Sequence, residues 1–353
     1  MQHVLGTGRS PRRAATVLVV VSSIHPPFSH MTNASRRHPA PRRAATVVVV
    51  GSINLDLVVQ VPRLPQAGET LAGTAFSTLA GGKGANQAVA VARLGGRAIM
   101  IGRVGDDAFG ARLLRGLRQE GVDVRHVLTL PRTTTGVASI AVEADGQNSI
   151  AIVSGANARL RPSDVRAAEP VIARADAILV QLETPLETVE TALRLARKHG
   201  VTSVLDPAPV PKDGLPASWR KLSLDILSPN ESEAAQLTGL PVDTEAEATR
   251  AATRLLDCFR AQAVVLKRGA HGALWQQANG PARVFPAFRV KAIDTTAAGD
   301  AFTAALALRL AEGATLSDTL PFASAAGALA TTRLGAQNSM PTRRAVQAFL
   351  RRA

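Results

Sequence analysis

Apolar residues in this chain fall in short continuous runs, separated by longer stretches with helical spacing. "TVVVVGSI", from Thr46, is a β-branched run without alternating polar positions, the mark of a strand covered on both faces in a parallel sheet. Runs of the same kind are "AIMIG" from Ala98, "AILVQL" from Ala177, "TSVLD" from Thr202, "DILSPN" from Asp225 and "AVVLKRG" from Ala263. Between them lie "NQAVAVARLG", "FGARLLRGLRQEG", "PSDVRAAEPVIARA", "LETVETALRLARKHG" and "AEATRAATRLLDCF", all with helical character. Several of these end on glycine, as helix C-termini prefer. The alternation predicts an α/β fold: a doubly wound, mostly parallel sheet flanked by helices, with its functional edge at the strand C-termini.

Two segments, about 55–80 and 133–155, break the alternation with short strands of alternating polarity, and "EADGQN" carries the Asp-Gly signal of a hairpin turn. They predict a small β-sheet lid beside the main sheet, able to close over a substrate and exclude water.

Composition narrows the class. At 46% hydrophobic and 19% charged, 353 residues describe a globular chain with a substantial core. The single cysteine, Cys258, rules out an internal disulfide, fits a reducing, cytoplasmic setting, and is expected to be buried in a helix. Half of the formal charge of +14 comes from seven arginines within residues 1–45, which contain no acid. With Tyr absent and Phe and Trp few, a base-stacking surface is not expected. The expected partners are therefore small anionic molecules rather than nucleic acid or membrane. Nucleic-acid binding through the arginine-rich leader is a rival that rests on charge alone.

That leader also contains a repeat. "PRRAATVLVVVSSI" from Pro11 returns thirty residues later as "PRRAATVVVVGSIN" from Pro41. It reads as a duplicated or mis-assigned leader with a start near Met31, as a targeting segment, or as a regulatory tail. Residues 1–45 are expected to be a disordered extension, residues 1–40 to be dispensable, and 46–353 to form one domain.

Two stretches carry candidate chemistry. "AGGKGANQAVAVARLGG" sets glycines around a lysine, as a phosphate loop does, but lacks the four-residue spacing to a "GK[ST]" element and offers no Ser or Thr for magnesium. "DTTAAGDAFTAALALRLAEG", from Asp294, opens an apolar helix with small residues. The backbone N–H groups of Ala297, Ala298 and Gly299 are little screened and have a helix dipole behind them, which suits an anion. Asp300 follows, where a base that takes a proton from an alcohol belongs. Alone, the pattern is also that of an ordinary helix start capped near Thr295 or Thr296.

"GSINLD" from Gly51, "GGKGANQA" from Gly81, "SPNESE" from Ser228 and "DTTAAGDAF" from Asp294 occur in the order seen in ribokinase-like (PfkB-type) carbohydrate kinases. The resemblance runs from about Val47 to the C-terminus, and "QLETP", "DPAP", "LTG" and "GAQNSMP" resemble the ribokinase branch. It implies an ATP-dependent kinase acting on the 5-hydroxyl of D-ribose. Deoxyribose, another pentose, a ketohexose or a nucleoside are alternative substrates, and a non-catalytic sugar or nucleotide sensor is the alternative of another class.

By the same resemblance, Gly82, Lys83, Gly84 and Asn86 hold the sugar together with Asn54, Asp56 and Glu183. Asp300 is the catalytic base, beside an anion hole of Ala297, Ala298 and Gly299. Asn230 and Glu233 support Mg²⁺ and phosphates; without the resemblance they read as a helix cap and a surface acid. ATP lies near Lys267, Gly269, Ala270, Gly272 and Ser324, with Asn230, Gly299 and Asp300 at its phosphates. Lys267 stands where a threonine is common, and Ser324 where histidine or asparagine often appears. A potassium ion is implied at Asp294, Thr296, Ala330, Arg333, Gly335 and Ser339, mostly through backbone carbonyls. Dimerisation through the lid is implied as well.

Overall fold

The computed structural model describes residues 43–143, 147–278 and 280–353. The leader repeat and the Asp145-Gly146 turn lie outside the described residues. Nine strands form the main sheet: β1 (Thr46–Val50), β4 (Arg97–Gly105), β5 (Asp123–Leu130), β8 (Ala177–Val180), β9 (Thr202–Leu205), β10 (Ile226–Leu227), β11 (Ala263–Lys267), β12 (Ala273–Gln277) and β13 (Arg283–Phe285). Their order is β13-β12-β11-β10-β9-β8-β1-β4-β5. The pairs from β11 through to β5 are parallel, and the β13-β12-β11 edge is antiparallel.

The valine run of β1 shows why the sheet is buried on both sides. Val47 and Val49 pack into one core, with the helices Lys83–Arg93, Ala298–Ala311 and Leu316–Ala330. Val48 and Val50 pack into the other, with Leu186–His199 and Glu245–Phe259. Successive side chains of a strand point to opposite faces, so a continuous apolar run feeds two cores at once. Cys258 is only partly buried, packed against the second core. "PSDVRAAEPVIARA" forms two short helices, Pro162–Ala167 and Glu169–Ile172, rather than one, because Pro170 offers no N–H to continue the first.

Four strands form the lid, in the order β3-β2-β6-β7: β2 (Asn54–Val61), β3 (Ala75–Gly81), β6 (Gly136–Glu143) and β7 (Asn148–Val153). Residues 62–74, inside the expected first lid segment, contain no strand. At the base of the lid Asn54 is in register with Gly81 on one side and Gly136 on the other, so the end of "GSIN" meets the start of "GGKG". β1 is flanked by β4 and β8, so sequence order reverses there. The segments following β1, β8, β9, β10 and β11 all open onto the same sheet edge. Among the described residues, no helix is long and apolar enough to cross a membrane.

Candidate active site

Gly82 and Gly84 owe their identity to close backbone approach. A Cβ on Gly82, whose φ is +87°, would stand 2.7 Å from Asn54 N, and one on Gly84 would stand 2.7 Å from Gly51 C and Ser52 N. These glycines seat the helix Lys83–Arg93 against the turn after β1. That seating presents Lys83, Asn86 and Gln87 to the sheet edge.

Asp300 stands opposite, in the first turn of the helix Ala298–Ala311, and is 5% exposed. Asn86 Nδ2 donates to its Oδ2 at 2.9 Å, and Gln87 Nε2 donates to its Oδ1 at 3.0 Å. Gln87 also donates to Asp206 Oδ2 at 2.8 Å and accepts a hydrogen bond from Gln181 Nε2 at 2.5 Å. Burial pushes the Asp300 carboxyl up to about 6; the Lys83 ammonium pulls it back, while the Asp206 carboxylate adds to the rise. A carboxylate tuned this way is deprotonated near neutral pH yet basic enough to take a proton. Burial alone would lower the pKa of Lys83, but Asp300, Asp206, Glu183 and Glu233 hold it above the ordinary lysine value. Lys83 is thus a partly buried cation in a setting of carboxylates.

The turn before Asp300 is unusual. Ala297 has φ +59°, a left-handed conformation that costs an L-residue roughly 1–2 kcal/mol. A left-handed residue followed by a right-handed one aims successive N–H groups into one concavity, an anion-binding arrangement. Ala298 N–H leans on Thr295 O at 3.3 Å, whereas those of Ala297, Gly299 and Asp300 have no acceptor among the described residues. The cap is Ala297 itself, with no side-chain hydrogen bond from either threonine.

Two cavities meet at this turn. One, of about 550 Å³, is walled by Lys83, Asp206, Asn230, Glu233, Ala297 and Asp300. The other, of about 360 Å³ and largely apolar, is walled by Ala270, Gly272, Phe288, Phe302, Ser324 and Gly327. Lys267, Gly269 and Gly299 border both. Ser324 Oγ is buried without a hydrogen-bond partner among the described residues, a polar atom left for a ligand in an otherwise apolar wall.

Asn54, Asp56 and Glu183 lie beyond these walls, towards the lid. Glu183 Oε2 accepts from Ser52 Oγ and, at 3.2 Å, from Lys83 N. Asn54 Oδ1 accepts from Asn157 Nδ2 at 2.7 Å, and Asn157 Oδ1 accepts from Ile53 N at 2.9 Å. Asn86 Oδ1 is buried with no partner among the described residues, an acceptor free for a hydroxyl. Burial, and then repulsion from Glu183, push the Asp56 carboxyl up to about 7. The folded chain therefore keeps a proton on Asp56 that the unfolded chain has already released between about pH 4 and about 7. Stability from this group is present at the acid end of that window and is lost as pH rises through it. Asp56→Asn is expected to raise Tm by roughly 1–3 °C near pH 8, with the gain shrinking to nothing near pH 4. A variant no more stable than the parent at the higher pH in scanning calorimetry would count against this setting.

Asn230 caps the helix Glu231–Thr238, accepting from Glu233 N at 2.8 Å, while the Glu233 carboxylate accepts from Asn230 N and Nδ2 at 2.7 and 2.8 Å. Glu233 is 8% exposed, so it is not a surface acid. Burial holds its carboxyl above the ordinary value, with Lys267 opposing and Asp206 reinforcing. Asp294 ties two loops together: its Oδ1 accepts from Thr296 N and its Oδ2 from Gly335 N, both at 2.8 Å. Burial opposes ionisation there, but these bonds prevail and hold the carboxyl below its ordinary value. Thr296 and Gly335 thus come together through Asp294, and Ala330, Arg333 and Ser339 lie in or beside the same loop, where Arg333 N reaches Ala330 O at 3.4 Å.

Reading the sequence did not single out Gln87, Gln181, Asp206, Ser52 or Asn157. Four of them lay inside motifs, Ser52 in "GSINLD", Gln87 in "GGKGANQA", Gln181 in "QLETP" and Asp206 in "DPAP", and that was the available signal.

The profile of the pfkB family carbohydrate kinase matches residues 44–343. A ribokinase of Haemophilus influenzae is 43% identical over 305 residues, covering 86% of this chain and 98% of that protein. A deoxyribokinase of Salmonella typhi is 39% identical over 293 residues, covering 83% of this chain and 94% of that protein. The solved structure of Arabidopsis thaliana ribokinase, complexed with ribose and ATP, superposes with a TM-score of 0.79 at 35% identity, over 87% of this chain and 99% of that one.

Proposed function

The chain belongs to the pfkB family of carbohydrate kinases, and on that premise we propose that it phosphorylates D-ribose at the 5-hydroxyl with ATP, giving D-ribose 5-phosphate and ADP. The observation that carries this reading is the placement of Asp300. A buried carboxylate is held by Asn86 and Gln87 at the mouth of an unpaired N–H turn, where the lid side and the two cavities converge.

Asn54, Asp56, Gly82, Lys83, Gly84, Asn86 and Glu183 form the sugar side. Carboxylates and amides supply the convergent donors and acceptors that a polyol needs. Asp300 takes the proton of the attacking hydroxyl as its oxygen bonds to the γ-phosphorus, the bond to the β,γ-bridging oxygen breaks, and ADP leaves. The N–H groups of the turn Ala297–Asp300 face the charge that develops on the phosphoryl oxygens, the dominant need in this chemistry. The apolar cavity, with Gly269, Ala270, Gly272 and Ser324, accommodates the nucleoside end.

A magnesium ion usually binds through one or two carboxylates together with substrate phosphates. Glu233, held by Asn230 in the wall of the larger cavity, fits that donor set, and the ion would neutralise phosphate charge there. The loops tied by Asp294, with Thr296, Ala330, Arg333, Gly335 and Ser339, fit a monovalent cation, potassium, behind the turn. Phe76, Ile150, Ile152 and Val153 leave large apolar surface exposed on β3 and β7, and this supports a homodimer formed through the lids. A cytoplasmic location agrees with the single free cysteine.

Deoxyribose is the second candidate substrate, favoured by the identity to a deoxyribokinase. A panel of sugars in a coupled ADP-release assay, with and without potassium, tests the reading. Ribose is expected to rank first with turnover rising on potassium addition; deoxyribose or a ketohexose ranking well above ribose would end the ribose assignment.

A further inference from the structure

Lys267 ends β11 and borders both cavities. Its Nζ stands 2.7 Å from Asp206 Oδ1 and donates at 3.2 Å to Thr303 Oγ1. Asp206 is 2% exposed, and its other oxygen is held by Gln87. Thr303 in turn donates to Gly299 O at 2.9 Å. A Cβ built on Gly299 would find Lys267 Nζ at 3.9 Å as its only neighbour. The ammonium therefore lies beside the turn whose N–H groups are unpaired, at the joint between the apolar cavity and the polar one.

An ammonium is a compact charge with three donors on a flexible stem. Here two donors meet Asp206 and Thr303, which leaves the third for an anion at the turn. Asp206 performs a different service: it keeps a largely buried cation paired when no anion is present, because an unpaired buried charge is costly.

We propose that Lys267 is a phosphate-reading residue: held ready by Asp206, its ammonium contacts the polyphosphate of a nucleoside di- or triphosphate. It thereby makes the cleft select these ligands over the nucleoside or monophosphate. This rests on the reading of the cleft as a nucleotide site. Affinity then grows with phosphate number even before any metal ion joins the complex.

Calorimetric titration of adenosine, AMP and ADP into the full chain, without magnesium, tests the proposal. Lys267→Met is expected to weaken ADP about 10- to 100-fold, the worth of a charged hydrogen bond, and to leave adenosine within about twofold. Because Lys267→Met strands Asp206 in a buried site, the double variant Asp206→Asn/Lys267→Met removes both charges and is expected to show the same selective loss. Asp206→Asn alone, which frees the ammonium, is expected to bind ADP at least as tightly as the parent. Equal weakening of adenosine and ADP, or no weakening of either in the single and double variants, would overturn the phosphate-reading role. A parent that binds none of the three ligands would instead overturn the nucleotide reading on which the role rests.

Discussion

Asp300→Asn is expected to lower kcat about 10²- to 10⁴-fold while leaving ribose binding measurable by calorimetry. The amide keeps the shape of the side chain but cannot accept a proton from the attacking hydroxyl. It also disturbs its surroundings in a definite way. Asn86 Nδ2 and Gln87 Nε2 both donate to the carboxylate, so an amide at position 300 sets one donor against another. That mismatch is buried and costs about 1–3 kcal/mol of stability, so Tm falls together with activity. Ribose binding by folded protein separates the two effects. The parent's kcat should also decline as pH falls below about 6, where the carboxyl takes up its proton, and the variant should lack that limb. Near-parent turnover in Asp300→Asn would remove Asp300 from the role of base.

Substitutions at Gly299 are expected to move stability and activity in opposite directions. The residue is helical and open: the only atom near a built Cβ is Lys267 Nζ at 3.9 Å. Gly299→Ala should therefore stabilise the helix by about 0.5–1 kcal/mol, and Gly299→Val should fold normally. Both put methyl groups at the border of the two cavities, over the N–H groups assigned to the transferring phosphoryl. Loss of one such donor costs about 10²- to 10³-fold in kcat, and valine screens more than one. The expected result is a parent-like Tm with kcat/KM at least about 10²-fold lower for Gly299→Val. A fully active valine variant would place the phosphoryl elsewhere.

How much of this was legible in the sequence depended on whether a signal was local. The central strands were readable because burial on both faces demands uninterrupted apolar residues, as in Thr46–Val50. The edge strands were not. Asp123–Leu130 mixes Asp, Arg, His and Thr with its apolar positions, and Arg283–Phe285 is three residues opening on an arginine, because an edge is partly exposed; Ala273–Gln277, next to that edge, ends on two glutamines. The helix Leu316–Ala330 carries Pro321 in its second turn, a residue that reads as a breaker because it has no N–H for the i→i−4 bond.

The site divides in the same way. Asp300 and its turn form a contiguous stretch, so their chemistry could be read in place. The bridge from Lys267 through Asp206 and Gln87 to Asp300 joins residues 61 and 119 positions apart, then 213, and no local pattern announces it. Asn230 and Glu233 read locally as a cap, and the cap is present; only the fold shows Glu233 buried in the cavity wall. That the glycines of "GGKGAN" make room for the turn after β1 is visible only in the fold.

The most direct measurement is identification of the product. The full chain is incubated with D-ribose, ATP labelled in its γ-phosphoryl group, magnesium and potassium, and the labelled product is resolved by phosphorus and carbon NMR. One labelled phosphate on C5 of ribose for each ADP formed is the expected result. Label on another hydroxyl, label released as inorganic phosphate, or ADP formation independent of the sugar would contradict it.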